Sequence, residues 1–300
     1  LEVLQKAGLE IDNCPTFKDL PKPEQKSRIR AADAMICRSQ PKVTAELLEE
    51  PGKLRAIARA GVGVDTIDTA AATRKGIVVM NTPGGNTVSA AEHTIALMFA
   101  LARQIPAADA TMKAGGWDRK KFMGTELTGK TLGIVGLGRI GQEVAKRAKG
   151  LGMEVVGFDP FVASAKVAEL GMTPGANLEA MLPVVDFLTL HIPLTPETKG
   201  VVGAKQLASM KKTARVLNVA RGGIIDEAAL AEALKAGTIA GAGIDVFSTE
   251  PAPADNPLRG APNVVLTPHL GASTSEAQEN VALEAAGLIR DFLQKGIVAN

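Results

Sequence analysis

Short apolar runs alternate along this chain with stretches whose apolar positions recur at helical spacing. Ala34–Cys37 and Ala56–Ala58 read as strands, with Thr44–Glu49 between them as a helix. Thr69–Lys75 reads as a helix closed by Gly76, and Ile77–Met80 as the next strand. This β-α-β-α-β order predicts a parallel sheet with helices on its faces. Pro15–Lys26, rich in proline and lysine, reads as an irregular connection. Leu1–Leu9 is helix-like, and Leu1 is not a natural start, so a preceding segment is expected.

The texture then changes. Ser89–Ala102 and Ala107–Ala114 are alanine-rich helical stretches, and Trp117–Thr125 is a basic loop. The alternation resumes with strands at Leu132–Val135, Val155–Phe158, Phe187–Leu190, Val216–Val219, Ala242–Asp245 and Val264–Leu266. Helical patterns at Ile140–Leu151, Ala163–Leu170, Ala204–Met210 and Glu227–Ala236 lie between several of them. Such a series predicts a doubly wound, Rossmann-type domain of six strands. A final helix, Ser273–Lys295, comes too late for that series and is expected to cross back to the first unit. The expected organisation is a discontinuous domain of residues 1–88 and 268–300, with residues 89–267 inserted into it. The crossings near Ser89 and Pro268 would form a hinge suited to closure around a substrate.

The turn after the strand Leu132–Val135 carries candidate chemistry. Gly136, Gly138 and Gly141 are spaced G-x-G-x-x-G and open a helix. One glycine permits the bend, one lets backbone approach a pyrophosphate, and one lets helix and strand pack closely. The helix N-terminus adds unpaired N–H groups and the positive end of a dipole. About twenty residues on, the next strand ends in Asp159, an acid placed to accept from adenosine ribose hydroxyls. That favours NAD over NADP.

Composition narrows the partners. Three hundred residues suit two domains, and a content of 46% hydrophobic and 22% charged residues can bury sizeable cores. A net charge of +2 gives no reason to expect nucleic acid or a membrane surface as partner. The longest apolar run near the middle, Thr94–Ala102, is too short for a bilayer. The two cysteines, Cys14 and Cys37, make neither a disulfide framework nor a metal spacing. A reducing cytoplasm and no metal are the expectations.

Polar residues gather where an open parallel sheet places its ligands, at the C-terminal ends of strands. Arg221 follows Val216–Val219, Glu250 follows Ala242–Asp245, and His269 follows Val264–Leu266. Arg221 can hold a carboxylate in a bidentate fork, and His269 can exchange a proton near neutral pH. Glu250, if it touches His269, would orient the ring and favour its charged form. Such a trio beside NAD suits the interconversion of a 2-hydroxy acid and a 2-oxo acid. Each residue also has a plainer reading, Arg221 as a surface or sheet-edge residue and Glu250 as the end of an element. Of the other histidines, His93 reads as structural or at an interface, and His191 as lining the cofactor crevice.

The segments GLGRIG, NVARGGIIDE (Asn218–Glu227), DVFSTEP (Asp245–Pro251) and PHLGAST (Pro268–Thr274) resemble those of the D-2-hydroxyacid dehydrogenases. Supporting segments are Ile36–Glu46, Arg59–Asp68, Arg74–Thr94 and Arg119–Gly133, so the resemblance spans nearly everything after Ala34. It implies an NAD domain inserted into a smaller, flavodoxin-like α/β substrate domain. It implies catalytic roles for Arg221, Glu250 and His269. Cofactor contacts would come from Val62, Gly136, Gly138, Arg139, Ile140, Gly141, Asp159, Ile192, Val219, Ala220, Arg221, Asp245, His269, Gly271 and Ala272. Val62 and Gly63 would also lie near the substrate carboxylate. Within the family, the segments fit a member that oxidises a phosphorylated 2-hydroxy acid on the way to serine. Arg38 and Arg59 would then face the phosphate, with ordinary surface arginines as the alternative. Helices around Ser89–Ala114 would build a homodimer or homotetramer, with Arg119 reaching the neighbour's substrate. The family's first strand, which precedes the helix at Leu1, is absent from the chain, and Asn13–Arg30 looks unlike its relatives. A glyoxylate or hydroxypyruvate reductase, another D-2-hydroxyacid dehydrogenase, and a dehydrogenase-like NAD(H)-sensing corepressor remain open as other functions.

Overall fold

The computed structural model describes residues 1–300. The chain opens with helices α1 (Glu2–Lys6) and α2 (Lys22–Ala31), followed by strands β1 (Ala34–Cys37) and β2 (Ala56–Arg59). Next come α3 (Thr69–Arg74), β3 (Val78–Asn81), α4 (Thr87–Ala102) and α5 (Ile105–Lys113). Then follow β4 (Thr131–Val135), α6 (Arg139–Gly150), β5 (Glu154–Phe158), α7 (Ser164–Glu169), β6 (Thr173–Pro174) and α8 (Leu178–Met181). The chain closes with β7 (Phe187–Leu190), α9 (Ala204–Ala208), β8 (Arg215–Asn218), α10 (Glu227–Lys235), β9 (Gly241–Ile244), β10 (Val264–Leu266) and α11 (Ser275–Lys295). Two compact units result, one of Leu1–Thr87 with Ala272–Asn300, the other of Val88–Gly271. No helix is long and apolar enough to cross a membrane.

In the first unit, β1, β2 and β3 form a parallel sheet in that order. Strand side chains alternate between faces. Ile57 therefore joins a core with Ile29, Leu47, Leu48 and Ile67, while Ala56 and Ala58 face a second core with Leu4, Met80 and α11. The small Ala56 and Ala58 let α11 approach through Val281, Ala285 and Ile289, spaced one helical turn apart. Thr274 caps α11 by accepting from the Ala277 N–H at 3.1 Å, and Gly296 ends it at φ +67°.

Two expectations for this unit fail. Residues 44–48 form turns rather than a helix, held by N–H bonds from Leu47 and Leu48 to the Thr44 carbonyl. Pro51 stops any continuation of these turns, because Glu50 before it is pushed away from helical geometry. The apolar signal there is core packing, since Leu47 and Leu48 are both buried. Conversely, Pro15–Lys26 is not irregular throughout, because α2 begins at Lys22. Pro21 is its N-cap residue and Pro23 lies in its first turn, where a missing N–H costs nothing.

In the second unit, seven parallel strands run in the order β10-β9-β8-β7-β4-β5-β6. The order reverses between β4 and β7, the switch point at which doubly wound sheets bind ligands. Both faces are covered, so β7 and β9 are buried along their whole length. Leu217 and Phe187 pack on one face with α4 and α6, while Val216 and Leu188 pack on the other with α10. Gly243 lets α4 come close, since a Cβ there would stand 3.2 Å from Leu101 and 3.3 Å from Leu97. The expected six strands are joined by β6, a two-residue edge strand ending in proline and too short to leave a periodic signal.

Candidate active site

The turn from β4 into α6 is shaped by its backbone. Gly136 adopts φ +93°, and a Cβ there would overlap the His191 carbonyl. A Cβ at Gly141 would overlap the Gly136 carbonyl, so helix and turn are packed as tightly as glycine allows. Gly138, the N-cap residue of α6, differs: a Cβ there would meet no protein atom within 4 Å. Open space thus lies in front of a helix N-terminus with no side-chain cap, the setting in which backbone amides receive a phosphate. Arg139 and Ile140 form the first turn of α6, and Ile192 packs at the Gly136 bend. Asp159 accepts from Leu137 N–H and Phe161 N–H, each at 2.9 Å, which ties the acid to the glycine turn. The residues present therefore fit a dinucleotide.

Across the sheet, three loops converge. Asn218, buried at the end of β8, donates to the Arg221 carbonyl at 2.8 Å and accepts from Ala220 N–H at 3.1 Å, shaping the Val219–Arg221 turn. A Cβ at Gly222 would overlap the Phe247 carbonyl, so this turn lies directly against the loop that follows β9. Glu227, the first residue of α10, accepts from Ser248 N–H at 2.5 Å and steadies that loop. The loop delivers Glu250, whose Oε1 accepts from Phe247 N–H at 3.1 Å and whose Oε2 lies 2.7 Å from His269 Nδ1.

The electrostatics follow from these contacts. The hydrogen bond to Glu250 raises the His269 pKa above its ordinary value; burial opposes it, and the charges of Glu250 and Asp245 outweigh that of Arg221. Burial pushes Glu250 upward, but the bonds from His269 and Phe247 hold its carboxyl below the usual range. With Nδ1 engaged by a carboxylate, the exposed ring leaves Nε2 as the atom for proton exchange. His191 is a different group. Burial pushes it down to about 4, so it is neutral, and its Nε2 bonds Thr189 Oγ1 at 3.0 Å.

His269 also sits at φ +57°, a region non-glycine residues rarely adopt. Its N–H bonds the Asp245 carbonyl at 2.8 Å. The Asp245 side chain is fully buried and accepts from Leu270 N–H at 2.7 Å, Gly271 N–H at 2.9 Å and Thr267 Oγ1 at 2.6 Å. His93 Nε2 lies 3.1 Å from Asp245 Oδ1 and 3.1 Å from Thr267 Oγ1. Burial acts to raise the Asp245 pKa, but the bonds from His93, Thr267 and Leu270 lower it below the ordinary value. The contact between His93 and Asp245 joins residues 152 positions apart, and nothing local in the sequence announces it.

The remaining residues singled out lie on other elements and loops. Arg38 lies exposed after β1, while Arg59 ends β2 with its Nη1 2.9 Å from the Ala60 carbonyl. Val62 and Gly63 follow on the same loop, and the Val62 carbonyl accepts from Asn81 Nδ2 at 2.6 Å. These four belong to the first unit, as does Ala272, whose carbonyl accepts from Gln278 at 2.6 Å. Arg119 is exposed in the loop after α5.

A family model described as "D-isomer specific 2-hydroxyacid dehydrogenase, NAD binding domain" matches residues 95–271. A D-3-phosphoglycerate dehydrogenase of Methanocaldococcus jannaschii is 48% identical over 97% of this chain and 55% of its own length. One from Synechocystis is 52% identical over 87% of this chain and 47% of its own. The chain spans about half the length of the curated relatives it matches. The solved structure of the TT0316 protein from Thermus thermophilus superimposes with a TM-score of 0.87 at 38% identity, covering 98% of this chain and 93% of that one. The glycine turn, the acid bound to it and the paired Glu250 and His269 all lie within the matched segment or at its border. The chain belongs to the D-isomer-specific 2-hydroxyacid dehydrogenases and carries their NAD-binding domain.

Proposed function

We propose that this protein is an NAD-dependent D-3-phosphoglycerate dehydrogenase, forming 3-phosphohydroxypyruvate for serine synthesis. The observation that carries the chemistry is the 2.7 Å contact between His269 Nδ1 and Glu250, which leaves Nε2 available as a base. The substrate class rests on the shared name of relatives 48–52% identical to this chain.

NAD, when bound, accepts the hydride that leaves C2. Neutral His269 takes the C2 hydroxyl proton on Nε2 as the carbonyl forms, and Glu250 steadies the resulting charge on the ring. Arg221 holds the C1 carboxylate. The backbone amides at Gly138, Arg139 and Ile140 receive the pyrophosphate, and Asp159 accepts from the adenosine ribose hydroxyls. Gly136 and Gly141 shape that turn. Ile192, Val219, Ala220, Asp245, His269, Gly271 and Ala272 line the rest of the cofactor, with Val62 beside it. Val62 and Gly63 serve the carboxylate end, and Arg38, Arg59 and Arg119 the phosphate.

In this reading residues 1–88 and 268–300 bind substrate, and residues 89–267 bind NAD and dimerise. Exposed apolar side chains along α4, α5 and the following loop, among them Val88, Ile105, Met112 and Trp117, suit a homodimer or the building block of a homotetramer. Two free cysteines suit the cytoplasm.

The test is NADH formation from D-3-phosphoglycerate, with reduction of phosphorylated and unphosphorylated hydroxypyruvate compared by kcat/KM. A clear preference for the phosphorylated substrate is expected. Equal values would reassign the chain to a hydroxypyruvate reductase, and normal NAD binding without turnover of any hydroxy acid would point to an NAD(H) sensor.

A further inference from the structure

We propose that His93 is a positioning residue for the dehydrogenase reaction, donating a hydrogen bond that holds Asp245 and, through it, the backbone carrying His269. The inference rests on the reading of His269 as the proton acceptor.

The hydrogen placement follows from counting donors. Asp245 is held below the usual carboxylate range, so it is ionised and only accepts. Thr267 Oγ1 lies 2.6 Å from Asp245 Oδ1, a distance at which two oxygens require a hydrogen between them. The one hydroxyl hydrogen of Thr267 is committed there, so toward His93 it can only accept. His93 Nε2, 3.1 Å from both oxygens, must carry a hydrogen and share it between them.

His93 thus completes a ring of donors around a fully buried carboxylate: its own Nε2–H, the Thr267 hydroxyl, and the N–H groups of Leu270 and Gly271. The two backbone donors directly follow His269, which is also bound by its own N–H to the Asp245 carbonyl. This clamp keeps His269 at φ +57°, a conformation an L-residue holds only when its surroundings over-determine it. With one of its donors gone, the Asp245 carboxylate is no longer fixed in orientation and turns away from the backbone donors. Removal of the His93 donor therefore loosens Leu270 and Gly271 and moves Nε2 of His269 away from the substrate hydroxyl.

Three variants of the full chain, His93→Leu, His93→Gln and His93→Asn, separate this role from packing. Glutamine places an N–H near the position of His93 Nε2, whereas asparagine is polar but stops short of it. Loss of a charge-assisted hydrogen bond predicts a fall in kcat of about tenfold or more in the Leu and Asn variants. KM for D-3-phosphoglycerate should stay within about twofold, and the Gln variant should keep most of the activity. Amide exchange at Leu270 and Gly271 should accelerate in the Leu and Asn variants but not in the Gln variant. Unchanged kcat in all three, a Gln variant as impaired as the Leu variant, or a loss confined to KM would each overturn the proposal. Should His93→Leu not fold, the contrast between the Gln and Asn variants still decides the question. If the unaltered protein turns over no hydroxy acid, the dehydrogenase reading fails, while the amide exchange still decides whether His93 holds the loop.

Discussion

The two halves of the candidate site are built from different material. At the end of β4 the cofactor turn is made of backbone: glycines at Gly136, Gly138 and Gly141, and the His191 carbonyl pressed against the first of them. At the ends of β8, β9 and β10 the reacting corner is made of side chains held by other side chains, with Glu250 on His269 and His93 on Asp245. A backbone site fails when volume is added. A side-chain site fails when a donor or a charge is removed. The two halves should therefore respond to opposite kinds of substitution, and mutants can test whether they do.

The largest effect is expected at the base. His269→Gln keeps a polar side chain but cannot accept a proton near neutral pH, so kcat should fall by about 10²–10⁴-fold with NAD affinity little changed. Steady-state kinetics with a separate NADH titration check this. A kcat within about tenfold of the unaltered protein would remove His269 from the chemistry.

Next comes the charge that tunes the base. Oxidation needs His269 unprotonated, and Glu250 raises its pKa above the ordinary 6.5. The forward rate should therefore be low below that raised pKa and climb as pH rises through it. Glu250→Gln removes the charge while keeping an acceptor for Nδ1, so the climb should move to lower pH. Its plateau should fall about tenfold, because a less basic histidine pulls the proton less strongly. An unmoved pH limb in kcat would show that the 2.7 Å contact does not govern the reacting group.

These two halves also differ in how far the sequence reveals them. Backbone demands leave local traces: G-x-G-x-x-G between an apolar run and a helical pattern, then an acid at the end of the next strand, mark the turn and Asp159 together. The strand-end rule likewise brings Arg221, Glu250 and His269 toward one sheet edge, because parallel strands expose their C-terminal ends together. His93 leaves no such trace, because its partner lies 152 residues away and its helix reads as ordinary alanine-rich packing. The misread elements have local causes too. Pro21 and Pro23 signal an irregular stretch although they occupy the N-cap and first turn of α2, which tolerate proline, and the apolar Leu47 and Leu48 mark core packing from a turn rather than a helix.

The smallest effects separate the glycines from one another. A Cβ at Gly141 would overlap the Gly136 carbonyl, so Gly141→Ala must push α6 away from the turn, at a cost of about 1–3 kcal/mol in stability. A Cβ at Gly138 meets nothing within 4 Å, so Gly138→Ala should leave stability within about 0.5 kcal/mol of the unaltered protein. Its methyl group would nevertheless stand where the pyrophosphate approaches the first turn of α6, and NAD affinity should fall about tenfold, or roughly 1.4 kcal/mol. Thermal unfolding with and without NAD, together with a cofactor titration, reads both variants. A Gly138→Ala protein that bound NAD normally would make that glycine a helix cap alone and move the pyrophosphate elsewhere. A Gly141→Ala protein of normal stability would show that the turn yields to added volume, and the contrast between a packed backbone site and a wired side-chain site would lose its basis.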